Sequence, residues 1–218
     1  MSYPLLDFHS VNMPDLVELP RFPPLTPANK NLNGAQGAQY EYLADMTKKT
    51  RTAHSKVPST SSCDHSLLRQ TQAPNANTFT SYTPTIVQPW VSLQLATAGL
   101  HPATEAEAAA MGVLSVTHAK YGIYAHSILA EKAGYSSVQV KEMLEGRCPA
   151  DIGAREAAVY KLAVKLAQTR GPLDGESYDD ALEVLGREGV LGVVQKAAAF
   201  MHASILMNAG NVGLPKGT

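Results

Sequence analysis

The chain has 218 residues, 44% of them hydrophobic, which is enough for one ordinary domain with a packed core or a smaller domain with a long appendage. Eighteen Lys and Arg residues balance nineteen Asp and Glu residues, and the formal net charge of −1 argues against binding nucleic acid or an anionic membrane through a basic field. Two cysteines, Cys63 and Cys148, are too few for a disulfide framework and too far apart for a CxxC metal site.

Proline is frequent in the first part of the chain. Ten of the fourteen prolines fall within residues 1–90, a density that prevents long helices. Residues 27–82 are rich in Thr, Ser, Asn, Gln and Ala and show no sustained apolar period, apart from one short helix that the pattern allows around Gln39–Met46. We therefore predict that residues 1–86 form a Pro-rich arm followed by an irregular, partly disordered insertion.

Residues 87–218 have the composition of a helical domain, rich in Ala, Leu, Val, Glu and Lys. Strand signals are absent, so we predict the all-α class, with a helical bundle as the architecture. The predicted helices, separated by glycine and proline, are Val87–Ala98, Ala108–Val116, Ile123–Ala133, a short helix from Ser136 or Ser137 to Leu144, Arg155–Gln168, Glu176–Leu185 and Gly189–Asn208.

Local patterns refine three of these helices. Thr104 and Glu107 have the S/T-x-x-E spacing of a capping box, which predicts a helix start just before Ala108. A turn near Ala119–Gly122 is predicted to separate this helix from the next. In the last helix, apolar residues recur at steps of three and four, which predicts one buried stripe. Its members are Leu191, Val194, Ala198, Met201, Ile205 and Ala209.

Polar residues with usable chemistry concentrate in one segment. They are Glu105, Glu107, His118, Lys120, Tyr121, Tyr124 and His126. Gly122 lies one turn before His126 and Ala130 one turn after it, so the imidazole is on a helix face of very small side chains. The space in front of His126 is filled either by a neighbouring helix or by a substrate, and the sequence leaves both open.

The segment TEAEAAAMGVLSVTHAKYGIYAHSILAEKAGYSSVQVKEML resembles the signature region of the alkylhydroperoxidase D-like (AhpD-like) superfamily, which includes the carboxymuconolactone decarboxylases. The downstream R-E-A-A-V-Y-K-L-A stretch and the closing Ala-rich helix extend the resemblance to about Val87–Pro215. The resemblance implies an AhpD-like helical bundle that assembles as a homo-oligomer, a trimer or a multiple of it.

The redox branch of this superfamily uses a C-x-x-C pair, with a histidine four residues after the second cysteine and a glutamate about a dozen residues before the first. On this chain the glutamate matches Glu107 and the histidine matches His126, but the cysteine positions hold Ala119 and Gly122. Peroxide reduction by that route needs a thiolate and a resolving thiol, and both are missing there. We expect Gly122 to open volume for a carbon substrate instead.

The resemblance to the decarboxylase branch implies a cofactor-independent lyase or isomerase, acting on a small organic acid or polyketide-like metabolite by decarboxylation, dehydration or cyclisation. A carboxylate that orients an imidazole suits such acid–base chemistry. We assign Glu107, His126 and Tyr121 as catalytic residues. Residues expected to contact the substrate are His118, Gly122, Tyr124 and His202.

Other interpretations remain open. Glu107 has an ordinary explanation as part of the capping box, and His126 as a buried structural histidine. Cys148 or Cys63 is the candidate nucleophile if the protein is a thiol-dependent antioxidant, and a non-catalytic small-molecule binder or assembly subunit is the third hypothesis.

Motifs for metals and nucleotide cofactors are missing from the sequence. There is no HExxH motif, no P-loop and no dinucleotide fingerprint, so we expect neither a catalytic metal nor a cofactor. The N-terminus MSYPLLDFHS has no basic region before an apolar run, and no eighteen apolar residues follow one another. We expect a cytoplasmic protein without a membrane partner.

Overall fold

A computed structural model describes residues 82–214 of the chain and the isolated residue Gly34. The predicted helix Gln39–Met46, most of the predicted arm and insertion, and Cys63 lie outside the described residues. Within residues 82–214 every regular element is a helix and no strand occurs, which confirms the all-α class for this part. The six helices are α1 (Pro84–Ala98), α2 (Ala103–Thr117), α3 (Lys120–Ala133), α4 (Ser137–Leu144), α5 (Ala154–Thr169) and α6 (Gly175–Ala209).

Helix α2 is the centre of the bundle and packs against α3, α4, α5 and α6. Its central residues, from Ala108 to Leu114, are all buried. Gly112 sits at the crossing with α5, where an added Cβ would lie 2.9 Å from Cβ of Ala163 and 2.9 Å from the carbonyl oxygen of Tyr160. The alanines and this glycine therefore allow the axes of α2 and α5 to approach closely, as small residues do at helix crossings.

The beginning of α2 differs from the prediction. The helix starts at Ala103, after Pro102, and no side chain caps its N-terminus. The Thr104 hydroxyl donates instead to Oε1 of Glu156 on α5, at 3.2 Å. The capping box predicted for Thr104 and Glu107 is therefore wrong. A capping box does begin α4, where the Ser136 hydroxyl accepts from the Gln139 backbone amide and the Gln139 side chain accepts from that of Ser136.

Helix α6 is long and bent at one glycine. Gly186 has φ 70° and ψ 171°, a conformation that is essentially restricted to glycine. The two predicted segments, Glu176–Leu185 and Gly189–Asn208, meet at this point. By length and composition alone α6 also meets the criteria for a membrane-spanning helix, which the core helix of a soluble protein meets as well, and 50% of its most apolar stretch is buried inside the molecule.

The predicted buried stripe of α6 is wrong. Leu191 and Ile205 are 58% and 59% exposed, and Ala198 and Ala209 are also exposed. The residues that face the core are displaced by one or two positions, and they include Val193, Ala197, Phe200, Ser204 and Met207. Both faces of the helix carry apolar residues at helical spacing, so the packing of α1, α2 and α5 decides which face is buried.

Candidate functional site

The candidate site is centred on a hydrogen bond between Glu107 of α2 and His126 of α3. Nδ1 of the imidazole lies 2.8 Å from Oε2 of the carboxylate. The His126 and Glu107 side chains are 19% and 14% exposed, so the pair lies just beneath the surface. An ionised carboxylate only accepts hydrogen bonds, so Nδ1 donates, and Nε2 is the nitrogen left to exchange a proton with another molecule.

The turn between α2 and α3 brings these two residues together although they are nineteen positions apart. His118 ends α2 in the left-handed conformation with φ 51°, and α3 begins two residues later at Lys120. The turn is thus tighter than the predicted Ala119–Gly122 turn. Nδ2 of Asn208 donates to the carbonyl oxygen of Thr117 at 2.8 Å, which ties the end of α6 to the same turn.

Two residues of α6 complete the surroundings of the pair, and sequence analysis missed both. The Phe200 ring is 4% exposed and stands perpendicular to the His126 ring, with 4.6 Å between their centroids. One helical turn earlier, Lys196 places Nζ 5.7 Å from the centroid of the same phenyl ring. The phenyl ring is therefore flanked by an imidazole and a primary amine.

Lys196 is 6% exposed, which is unusual for lysine. Burial lowers the pKa of its ammonium group, because the charged form loses hydration, and the negative charge of Glu107 opposes part of this effect. The favourable interaction with Glu107 is an electrostatic one at a distance, because the described residues include no ion pair between Lys196 and Glu107 within 4 Å.

The expectation that Gly122 opens volume beside His126 is wrong. A Cβ added at Gly122 would lie 2.7 Å from Cδ2 of Leu114 and 3.1 Å from Cε of Met207. Side chains from α2 and α6 thus fill the space in front of this glycine. Its small size allows α3 to pack against both helices, and the position offers no room for a substrate.

The two tyrosines of α3 lie on other faces of the helix than His126. Tyr121 is five residues before His126, about 140° away around the helix axis, and Tyr124 is two residues before it, about 160° away on the shorter side. Tyr121 is 4% exposed and belongs to the hydrophobic core, and its ring centroid is 6.4 Å from that of Tyr124. Their positions favour packing roles.

The two remaining histidines of the predicted site lie at the surface. His118 is exposed at the C-terminal end of α2, where its backbone amide donates to the carbonyl oxygen of Leu114 at 2.9 Å. His202 is exposed on α6, and its ring stands edge-on to the indole of Trp90 in α1, with centroids 6.5 Å apart. The structure therefore places His202 against α1.

A second histidine and glutamate pair, which sequence analysis also missed, is buried at the start of α2. Nδ1 of His101 lies 3.0 Å from Oε2 of Glu105, and their side chains are 3% and 5% exposed. Arg155 of α5 donates to both carboxylate oxygens, from Nε at 2.8 Å and from Nη2 at 3.3 Å. The hydrogen bond from Arg155 is the largest cause that holds the pKa of Glu105 below its ordinary value.

A cavity of about 660 Å³ lies between α5 and the first part of α6. Charged residues of its lining include Lys161, Lys165, Asp180 and Glu183, and Cys148 lies at one side. Burial raises the pKa of the Cys148 thiol, which disfavours the reactive thiolate form. Neither Glu107 nor His126 lines this cavity, so Cys148 and the acid–base pair lie in separate parts of the described structure.

Potential metal ligands are dispersed over the described part of the chain. Residues 82–214 contain no group of three or more His, Cys, Asp or Glu side chains that could hold a metal ion.

Comparisons with known proteins leave the family of the chain open. A scan against models of protein families, a search of curated proteins and a search of solved structures each found no significant match. The resemblance to the AhpD-like superfamily rests on the sequence segments that carry it.

Proposed function

We propose that this protein is a cofactor-independent lyase or isomerase that uses His126 as a general acid and base. The observation that carries the proposal is the 2.8 Å hydrogen bond between Glu107 and a partly exposed His126. A carboxylate behind an imidazole fixes its tautomer and stabilises the imidazolium form, as in other acid–base sites. The resemblance of the α2–α3 segment to carboxymuconolactone decarboxylases supports the same reaction class.

The substrate class follows from what this pair is able to do. Loss of carbon dioxide from a β-keto acid breaks the bond between the α-carbon and the carboxylate, and leaves an enolate that must take up a proton on carbon. Protonated His126 can deliver that proton from Nε2, while Glu107 holds Nδ1. Isomerisation or dehydration of a small carbonyl acid needs removal of a proton as well as delivery of one, and the same imidazole can do both, so we propose small β-keto or 1,3-dicarbonyl acids as substrates.

The proposal is tested by incubating the full-length protein with a panel of β-keto acids and lactones. We expect release of carbon dioxide, or loss of the lactone, faster than in buffer for at least one compound. A variant with Cys63→Ser and Cys148→Ser should keep this activity, because the proposed chemistry uses no thiol. No turnover of any compound, or activity that disappears with the cysteines, would contradict the proposal.

We further propose that the protein assembles as a homo-oligomer, a trimer or a multiple of it, as the AhpD-like resemblance implies. Large apolar side chains exposed on α1 and α6 support this assembly. Leu93 and Leu95 are 43% and 60% exposed, and Leu191 and Ile205 are 58% and 59% exposed. Association with a second copy would remove such side chains from water, which is favourable at about 25 cal/mol per Å².

Light scattering coupled to size exclusion measures this assembly directly. We expect a mass three times that of the 23.2 kDa chain, or a multiple of that mass, and a shift toward the monomer when Leu191 and Ile205 are both changed to Glu. Val138 of α4 is 66% exposed, and Val138→Glu is the matched control that should leave the mass unchanged. A monomeric wild-type protein would overturn the proposal.

A further inference from the structure

Lys196 differs from the other lysines of the described chain in its burial. Within residues 82–214, Lys120, Lys132, Lys141 and Lys161 are exposed and Lys165 is partly exposed, whereas Lys196 is 6% exposed. Lys165 pairs with Asp174 at 2.7 Å. Lys196 has no carboxylate within 4 Å among the described residues. A buried lysine is normally paired, so its presence here requires an explanation.

Burial favours the uncharged amine at this position. The phenyl ring of Phe200, 5.7 Å from Nζ, attracts a cation only weakly. The desolvation of an unpaired ammonium group costs more free energy than that attraction returns. The charge of Glu107 is shared with His126 and compensates only part of the cost, so the pKa of Lys196 remains lowered. An uncharged amine is a nucleophile, whereas an ammonium group is not.

The position of the amine relates it to the acid–base pair. Phe200 contacts the His126 ring, with centroids 4.6 Å apart, and lies beneath Nζ of Lys196. The amine and the imidazole therefore flank one phenyl ring, and the Glu107 carboxylate is hydrogen-bonded to that imidazole, so the three groups come from three helices. An amine next to a proton-transfer pair is the arrangement that imine chemistry requires.

We infer that Nζ of Lys196 captures the ketone or aldehyde carbon of a small carbonyl substrate as an imine. The role of this imine in decarboxylation rests on the proposed function, because the iminium nitrogen would accept the electron pair that the departing carbon dioxide leaves behind. The capture of a carbonyl compound by Lys196 is a separate property of the amine and is measured separately.

The reaction sequence balances without any cofactor. The amine adds to the carbonyl carbon of a β-keto acid, and uptake of one proton from solvent with loss of water gives a protonated imine. The bond between the α-carbon and the carboxylate then breaks, its electron pair moves toward the iminium nitrogen, and carbon dioxide departs, so that an enamine remains. Protonated His126 donates a proton to the enamine carbon, and water hydrolyses the resulting iminium to the ketone and the free amine, returning one proton to solvent.

The test is reductive trapping on the full-length protein, with acetoacetate and, separately, butanal as carbonyl probes and sodium borohydride as the reductant. Hydride reduces an imine to a stable secondary amine, which intact mass and peptide mapping detect. We expect the label on the peptide that contains Lys196, carrying an N-isopropyl group from acetoacetate or an N-butyl group from butanal. If neither probe labelled Lys196 of the wild-type protein, whether or not other lysines were labelled, the inference would be overturned.

Two variants control for nonspecific labelling of the eleven lysines in the chain. Lys196→Arg should lower the label roughly 10-fold or more, because a guanidinium group stays charged and forms no imine. Lys141→Arg is the matched control, since the Lys141 side chain is 76% exposed and pairs weakly with Glu145 at 3.9 Å; it should leave the label unchanged. If Lys196→Arg does not fold, the site of the wild-type label decides the question.

The same experiment separates the inference from the proposed function. Butanal carries no carboxylate, so its label on Lys196 reports capture of a carbonyl carbon whether or not the protein decarboxylates any acid. Labelling of Lys196 without carbon dioxide release would leave the inference standing and contradict the proposed function. Release of carbon dioxide without any label on Lys196 would support the proposed function and overturn the inference.

Discussion

In the proposed decarboxylation, replacement of His126 by alanine is expected to lower kcat/KM about 100- to 10 000-fold, the usual cost of losing a general acid or base. The imidazole is the member of the pair with a nitrogen left for the substrate, since Glu107 occupies Nδ1. Steady-state release of carbon dioxide measures the effect. His126→Gln keeps most of the side-chain volume next to Phe200 and should lose a similar factor, which separates lost proton transfer from lost packing.

A double-mutant cycle tests whether Glu107 acts through His126. Glu107→Gln keeps the shape of the side chain but removes the charge that orients the imidazole, so we expect a smaller loss than for His126→Ala. In the double variant the loss should equal that of His126→Ala alone, because an orienting group has nothing left to orient. Glu131, exposed on α3, provides the control Glu131→Gln. Near-normal turnover by His126→Ala would contradict the proposal that this pair catalyses by proton transfer.

Many helix ends of the helical domain could be predicted from the glycine, proline and serine residues that flank them. Gly99 and Gly134 follow α1 and α3 as predicted, and Ser136 begins α4. Helix α1 begins at Pro84, three residues earlier than predicted, and continues through Pro89. Proline is well tolerated in the first turn, and the backbone hydrogen bond that Pro89 cannot donate further along did not end the helix.

The face that α6 buries could not be predicted from its own sequence. Leu191 and Ile205 have the same periodicity as the residues that are buried, so the hydrophobic pattern gave two answers. The choice depends on neighbouring helices that close over one face, for example the Gln94 side chain of α1, whose amide donates to the carbonyl oxygen of Ala199 at 2.9 Å. Such contacts between residues far apart in sequence leave no local signal.

Only part of the candidate site could be predicted from the sequence. The match of Glu107 and His126 to the AhpD-like pattern predicted that these two residues act together, while the local pattern favoured a capping box for Glu107. Lys196 lies in an alanine-rich helix, where a single lysine is normally solvent-exposed. Glu105 gave no sign of its partner because Arg155 is fifty residues away. Charge alone does not indicate which ionisable side chains are buried.

Replacement of Arg155 by methionine is expected to lower the free energy of unfolding by about 3 kcal/mol, near the lower end of the range for removing one partner of a buried ion pair. The Glu105 carboxylate is 5% exposed and would keep His101 as its remaining side-chain partner. The lower end applies because Arg155 is 49% exposed, so water can partly replace it. A loss of this size corresponds to about 6–12 °C in Tm.

The matched control is Arg147→Met, which removes a pair between Arg147 and Glu145 whose side chains are 60% and 39% exposed. Such surface pairs contribute about 0–1 kcal/mol, so this variant should remain close to the wild type. Urea unfolding followed by circular dichroism measures both variants. Equal stabilities of the two variants would show that the Glu105 cluster contributes no more than a surface ion pair.

The same cluster predicts how stability depends on pH. Arg155 holds the pKa of Glu105 below its ordinary value in the folded protein. As the pH falls below about 4.3, the Glu105 carboxylate is therefore protonated in the unfolded chain before it is protonated in the folded protein. The stabilisation is therefore complete above the ordinary pKa and is lost as the pH falls through the folded one. Because Arg155→Met lacks the main cause of the lowering, the difference in unfolding free energy between wild type and variant should narrow on acidification. A difference that stays constant from neutral pH to acid would mean that Arg155 stabilises the protein by packing rather than through the charge of Glu105.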